Sequence, residues 1–313
     1  MSTHTATPLA GVARRSSDHF HRAALRFFYL MAFLIIAGVA FYGESYYRMD
    51  AAHRPFSPQH ILLRPNGSIG LWLGVLGAFM FLIIFIYPIR KRWAWLRSKG
   101  NTRHWLDFHV MVGLSAPFII ALHASFKFRG IAGMAFWIMS AVALSGVIGR
   151  YLYAQIPRSL NAAELSLQEV QEEQMQLAEQ LTTQRLFSLS HLEPLFRFPG
   201  ESFVQSLPMV VALVLMILID ALRVLHIARL RLRVLSLWGC LLTFGGILPS
   251  GDAEIEQVIV MARKQAALSK RILFLERSQQ VFHLWHVVHK PFSYSFALLA
   301  ALHIIVVMLF GVR

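Results

Sequence analysis

Five stretches of this chain are apolar over the length a helix needs to cross a lipid bilayer, and nothing else limits its fold as strongly. A helix rises about 1.5 Å per residue, so about 20 apolar residues cover a hydrocarbon core roughly 30 Å thick. Residues 24–41, 69–87, 106–126 and 131–151 are such runs, and a last one extends from residue 282 or 291 to 310. Lipid offers no partner to a backbone N–H or C=O, so spans of this length must be helices. Composition agrees: 56% of residues are hydrophobic and 15% charged, where a soluble domain carries about 25% charge. A soluble globular enzyme and a disordered chain are both excluded.

The basic excess sets an orientation. Lys and Arg number 30 against 16 Asp and Glu, a formal net charge of +14. In a membrane protein such residues collect in cytoplasmic loops, so the excess needs no nucleic-acid partner. The densest cluster, Arg90-Lys91-Arg92 with Arg97, Lys99 and Arg103, marks the cytoplasmic side and places residues 1–23 inside as an N-terminal tail. Cys240 is the single cysteine, which excludes a disulfide framework, a Cys-ligated iron–sulfur cluster and a covalently attached haem.

Beyond four spans in residues 24–152, the chain changes character. Residues 153–205 hold Glu164, Glu169, Glu172, Glu173 and Glu179, with Leu167, Val170, Leu177 and Leu181 at helical spacing. This is an amphipathic cytoplasmic helix, either solvated or serving as an acidic docking site. Residues 206–250 contain two apolar stretches, 208–222 and 234–249, separated by Arg223, Arg229, Arg231 and Arg233. They read as a hairpin of two short spans, with a partly re-entrant or interfacial segment as the alternative. Residues 251–281 form a basic amphipathic helix, and 282–313 the last span. The expectation is an all-α polytopic bundle of seven spans, or five if 208–249 does not cross.

Fourteen histidines are many for so apolar a chain, and ionisable residues inside spans are functional candidates by default. His109 and His123 share the third span, His289 and His303 the last, each pair 14 residues apart. At roughly 100° per residue, 14 residues fall about 40° short of four turns and rise about 21 Å, so each pair looks out from nearly one face. If both helices enter from the cytoplasm they are parallel, and His109 then faces His289 while His123 faces His303. Two facing imidazoles can supply both axial ligands of a haem iron, and two such haems stacked across the bilayer make an electron wire.

His286 is the alternative inner ligand. It lies about 100° off the face of His303 on a regular helix, but Pro291 can kink the helix between them. His283 lies farther off and reads as surface. Gly113, Gly146 and Gly149 could let a flat macrocycle approach a backbone, or could simply be helix-packing positions. Arg103, Arg150 and Lys290 inside, with Lys127 and Arg129 outside, are candidate partners for propionates. Trp137, Trp285 and Tyr151 suit interfacial belts.

The segments WLDFHVMVGLSAPFIIALHASFKFRG, SGVIGRYLYAQIPR and LWHVVHKPFSYSFALLAALH, about a quarter of the chain, resemble bacterial ferric-reductase-like di-haem cytochrome b proteins. The resemblance implies two non-covalent haem b groups held by His109, His123, His303 and one of His286 and His289. Ferric reductases of this kind continue into flavin- and nicotinamide-binding domains. Here the last span is followed by three residues, and no G-x-G-x-x-G fingerprint appears. The expected role is therefore that of an electron-transfer subunit fed by a quinol or a separate redox protein, with lipid, redox partners and a quinone as its contacts. The alternatives are a quinol dehydrogenase subunit with its own quinone site, a haem-free histidine relay in a transporter or channel, and a haem-free anchoring subunit. A relay should show intramembrane carboxylates, for which only Asp107 and Asp220 are candidates.

Overall fold

The computed structural model describes residues 8–156, 172, 174–181, 187 and 189–310, and among these the chain is all helix with no strand. Seven long helices carry the architecture: α1 (Pro8–Tyr42), α2 (Ser68–Arg92), α3 (Thr102–His123), α4 (Gly130–Gln155), α5 (Met209–Val234), α6 (Ala253–Leu273) and α7 (Leu275–Phe310). Among the described residues, six helices are long and apolar enough to cross a membrane, as in a multi-pass membrane protein: residues 19–42 of α1, the helical run 60–92 that includes α2, and α3, α4, α5 and α7. The chain divides into two compact units. One comprises residues 1–148 and 287–313, the other 149–286.

In the first unit, α2 and α3 make the most extensive helix pair, with α1 packed on α3. Their shared core contains Leu73, Met80, Met111, Val112, Ala116, Ile119, Leu122 and Met139. Two buried arginines close this pair at its ends, and both donate mainly to backbone carbonyls. Arg90, at the end of α2, donates to the carbonyls of Arg97, Lys99 and Gly100 and to Thr102 Oγ1. It therefore folds the basic loop back onto the start of α3. Asn101 caps that helix by accepting from the Arg103 N–H. At the other end, Arg54 donates to the carbonyls of Tyr47, Met49 and Ser125. Ser125 and Phe126 have positive φ values of 48° and 59°, a conformation unfavourable for side-chain-bearing residues. It is held by the Arg54 bond and by a Ser125 hydroxyl bond to the Leu63 carbonyl.

In the second unit, α5 runs unbroken through the arginines that separate its two apolar stretches in sequence. The expected hairpin of two short spans at 206–250 is not what forms. Residues 209–234 contain neither Gly nor Pro, so nothing stops the helix, and Arg223 and Arg231 each find partners on its packed side. The second stretch forms only the six-residue helix Leu237–Leu242 and a turn. Helix α6 packs antiparallel to α5. Asp220 pairs with Lys270, Arg223 with the Ala266 carbonyl at 2.8 Å, and Arg231 with Glu256 at 2.7 and 2.8 Å. Asp252 caps α6, with Glu254 and Glu256 in its first turn and Lys270 and Arg271 in its last, the arrangement that opposes the helix dipole. The acidic docking segment falls largely outside the described residues. Its described part, 174–181, is helical and buries Leu177 and Leu181 in this unit.

Arg231 is 4% exposed at its side chain and also donates to the carbonyls of Gly246 and Ile247. Replacing it with Met should cost roughly 3 kcal/mol, because Glu256 and two carbonyls lose their donor. The same hydrogen bonds hold the Glu256 carboxyl below its ordinary range. A depressed carboxylate pKa contributes stability that is complete above the unfolded value of about 4.3 and is lost as pH falls through the folded value. Thermal unfolding in detergent followed by circular dichroism should show the Arg231→Met loss at neutral pH. It should also show a flatter acid limb for Glu256→Gln.

Candidate functional site

The first unit contains four of the five candidate ligands. His109 and His123 lie on α3, His289 and His303 on α7, all half-buried. The two on α3 are anchored identically. His109 Nδ1 lies 3.0 Å from the Ile84 carbonyl and His123 Nδ1 2.8 Å from the Gly70 carbonyl, both on α2. The two carbonyls, like the two histidines, are 14 residues apart, and they run in the opposite order. Antiparallel packing of α2 on α3 thus presents an equivalent acceptor to each ring.

Local sequence makes each acceptor available. Pro88 lies four residues after Ile84 within α2, and proline has no N–H to return to the i−4 carbonyl. The Ile84 oxygen is thereby left for His109. At the other anchor, a Cβ added to Gly74 would sit 2.6 Å from the His123 ring. Only glycine at that position lets the imidazole approach the backbone of α2 closely enough to bond Gly70. Neither Gly74 nor Pro88 stood out in the sequence, although each sits one turn after the acceptor it serves.

These bonds fix the tautomer. A carbonyl only accepts, so Nδ1 must carry the proton in His109 and His123, and the lone pair is on Nε2. His289 reaches the same state by another route. The Ser145 hydroxyl donates to the Val142 carbonyl at 2.8 Å, so its oxygen accepts from His289 Nδ1 at 2.8 Å. Donation of one ring N–H to a carbonyl or similar group is the usual way a metal-binding histidine is oriented. Ser145 is a further residue that sequence inspection passed over.

The two histidine helices run parallel. His303 has His123 as a neighbour. At the other end, Lys91 interacts with both His109 and Lys290, the neighbour of His289. Lys91 also lies over the Tyr87 ring at 4.8 Å, and that ring is 5.1 Å from His109. Two cations therefore accompany the His109–His289 end, where Lys290 was expected and Lys91 was not. Lys127, Arg129 and Arg103 are exposed, while Arg150 belongs to the other unit. At the His123 end the buried Tyr47 hydroxyl has no hydrogen-bond partner, and burial pushes its phenol up to about 12.

The remaining candidates separate clearly. His286 belongs to the second unit and bonds its own helix, Nδ1 to the Phe282 carbonyl at 3.2 Å, with its ring against Phe282 and Trp285. His283 is exposed. A methyl group added at Gly113 or Gly146 would meet nothing within 4 Å, so neither is a tight helix-packing position. Gly149, by contrast, packs on the Trp285 ring. Trp285 and Tyr151 are thus used internally, Tyr151 donating to Asp220, rather than lining an interfacial belt. Trp137 is 59% exposed. Both carboxylates weighed for a relay are paired, Asp107 with His21 at 3.3 Å and Asp220 with Lys270 and Arg223. The described residues contain no group of three or more His, Cys, Asp or Glu side chains that could hold a bare metal ion.

Comparison with protein-family models, curated proteins and solved structures finds no match to this chain.

Restoring an N–H at position 88 should return the Ile84 carbonyl to the helix and weaken the His109 anchor by about 1 kcal/mol. In Pro88→Ala, nitrogen-15 NMR of histidine-labelled protein should show His109 losing its pure Nδ1–H tautomer, with His123 unchanged.

Proposed function

We propose that this protein is a membrane b-type cytochrome that carries electrons across the bilayer through two bis-histidine haems, one between His109 and His289 and one between His123 and His303. The observation that carries this reading is the repeated anchor. Two imidazoles about 21 Å apart along one helix are each hydrogen-bonded through Nδ1 to the same neighbouring helix, with the Nε2 lone pair left for a ligand. Structural histidines have no reason to repeat a partner helix, a spacing and a tautomer together.

The donor set suits haem. Neutral imidazoles are its common nitrogen ligands, and second-shell bonds of this type raise their basicity. When bound, haem iron would supply a one-electron couple. The remaining roles belong to the chain. Carbonyls of Ile84 and Gly70 and the Ser145 hydroxyl hold three rings in orientation. Lys91 and Lys290 offer positive charge to propionates at one end, and the Tyr47 hydroxyl offers a donor at the other. Gly113 and Gly146 leave room beside α3 and α4. His289 is favoured over His286 because it shares a unit with the other three histidines and is oriented by another helix.

A bacterial inner membrane with the N-terminus inside, and a quinol or redox-protein partner, belong to the same proposal. They rest on the charge asymmetry of the loops and on the resemblance of the histidine segments. The quinol dehydrogenase and histidine-relay readings have no observation that favours them over this one, and pairing of Asp107 and Asp220 counts against the relay.

A dithionite-reduced minus oxidised spectrum of the purified protein, with haem quantified as pyridine haemochrome, tests the proposal. Two b-type haems per chain are expected. His123→Ala and His303→Ala should each leave one, as should His109→Ala and His289→Ala, while His286→Ala should keep two. Gly74→Val should behave like His123→Ala without touching a ligand. A haem-free protein expressed with adequate haem supply would sink the reading.

A further inference from the structure

Helix α5 has the length and hydropathy of a membrane span, yet three independent observations say that it does not cross. The first is the path of the chain. The Ser145–His289 bond shows that α4 arrives at the Lys91 end of the histidine helices and that α7 departs from that same end. Residues between them must cross the bilayer an even number of times. Among the described residues there, α5 is the single helix long and apolar enough to do so, and residues 157–188 carry five glutamates and no long apolar run.

The second observation is what α5 packs against. Its pairings with α6, from Asp220–Lys270 to Arg231–Glu256, extend over about 16 Å of its length. Helix α6 carries Glu254, Arg263, Lys264 and Arg271 on its exposed side. A crossing α5 would drag those charges into hydrocarbon, at roughly 3 kcal/mol each on insertion scales.

The third is the environment of α5 itself. Val210, Val214, Ile217, Leu218 and Leu225 recur at three- and four-residue spacing and are 47–73% exposed. Ala212, Met216, Ile227, Leu230 and Arg231 on the other side are buried. The exposed face continues into Trp238, Leu241, Leu242 and Phe244, each at least 70% exposed. Arg231 holds that segment down through the Gly246 and Ile247 carbonyls. Exposed Arg229 and Arg233 border the apolar stripe. An apolar stripe bordered by cations on one side and a polar helix on the other is the pattern of a helix lying in a membrane interface.

We propose that α5 and residues 237–248 form a monotopic lipid-binding surface, lying flat in the interface of the leaflet on the Lys91 side, with Arg229 and Arg233 at anionic headgroups. The chain then crosses the membrane five times. This holds whether or not the histidines bind haem, so the haem assay and the test below fail independently.

The test uses the full chain with Cys240→Ser, reconstituted in vesicles containing anionic phospholipid. Lys99→Cys and Arg263→Cys are each challenged with a membrane-impermeant maleimide, from outside and after permeabilisation. Both should react from the same side; reaction from opposite sides would overturn the proposal by showing that α5 crosses. Nitroxides at Val210→Cys, Val214→Cys, Leu218→Cys and Leu225→Cys should report similar shallow depths by oxygen and nickel-chelate accessibility. A depth that rises to the bilayer centre and falls again would overturn it, as would full water exposure, or loss of both accessibilities through cover by protein. Lowering the anionic lipid should lift these nitroxides toward water in wild-type background, and less so in Arg229→Gln/Arg233→Gln.

Discussion

The bond from an imidazole N–H to a backbone carbonyl of the neighbouring helix is what the rest of this molecule is organised around. An α-helix normally consumes its own carbonyls, so a side chain that needs one must find a place where the helix has surrendered it or where the ring can share it. Helix α2 provides one of each, a proline that frees the Ile84 oxygen and a glycine that clears the approach to Gly70. The register of α2 on α3 follows from satisfying both at once. Each buried imidazole proton is thereby paired, which in a low-dielectric interior is worth more than the bond itself because the unpaired group would be costly.

Buried charge in this protein is handled by the same economy of carbonyls. Arg54 and Arg90 gather loop carbonyls as their acceptors. The carboxylate-paired cations, Lys270 and Arg231, lie in the second unit. In the second unit, α5 and α6 are joined by these ion pairs along their length.

Much of the bundle was legible in the sequence because lipid imposes a length and a polarity that a reader can count. The 14-residue histidine spacing was legible for the same reason, since helical periodicity translates directly into a face. The acceptors were not, because a carbonyl leaves no mark in a sequence; only Pro88 and Gly74, read at i+4 from Ile84 and Gly70, could have pointed to them. Ser145 and Lys91 were hidden by their ordinariness, as a hydroxyl in an apolar run and one cation among many in a basic cluster. In segment 206–250 the arginines do not mark a loop, because α5 continues through them. Four arginines without a helix breaker do not end a helix; Arg223 and Arg231 turn toward α6, while Arg229 and Arg233 stay exposed.

The Arg54 clamp has a consequence for biogenesis. Its guanidinium takes acceptors from Tyr47 and Met49 nearby, and from Ser125, 71 residues further along the chain. A nascent chain that has released only α1 and α2 has no Ser125 to offer, so the cation must remain hydrated until α3 has been threaded and its turn has emerged. The clamp on the first three helices is therefore completed only when the third arrives, with the arginine as its latch.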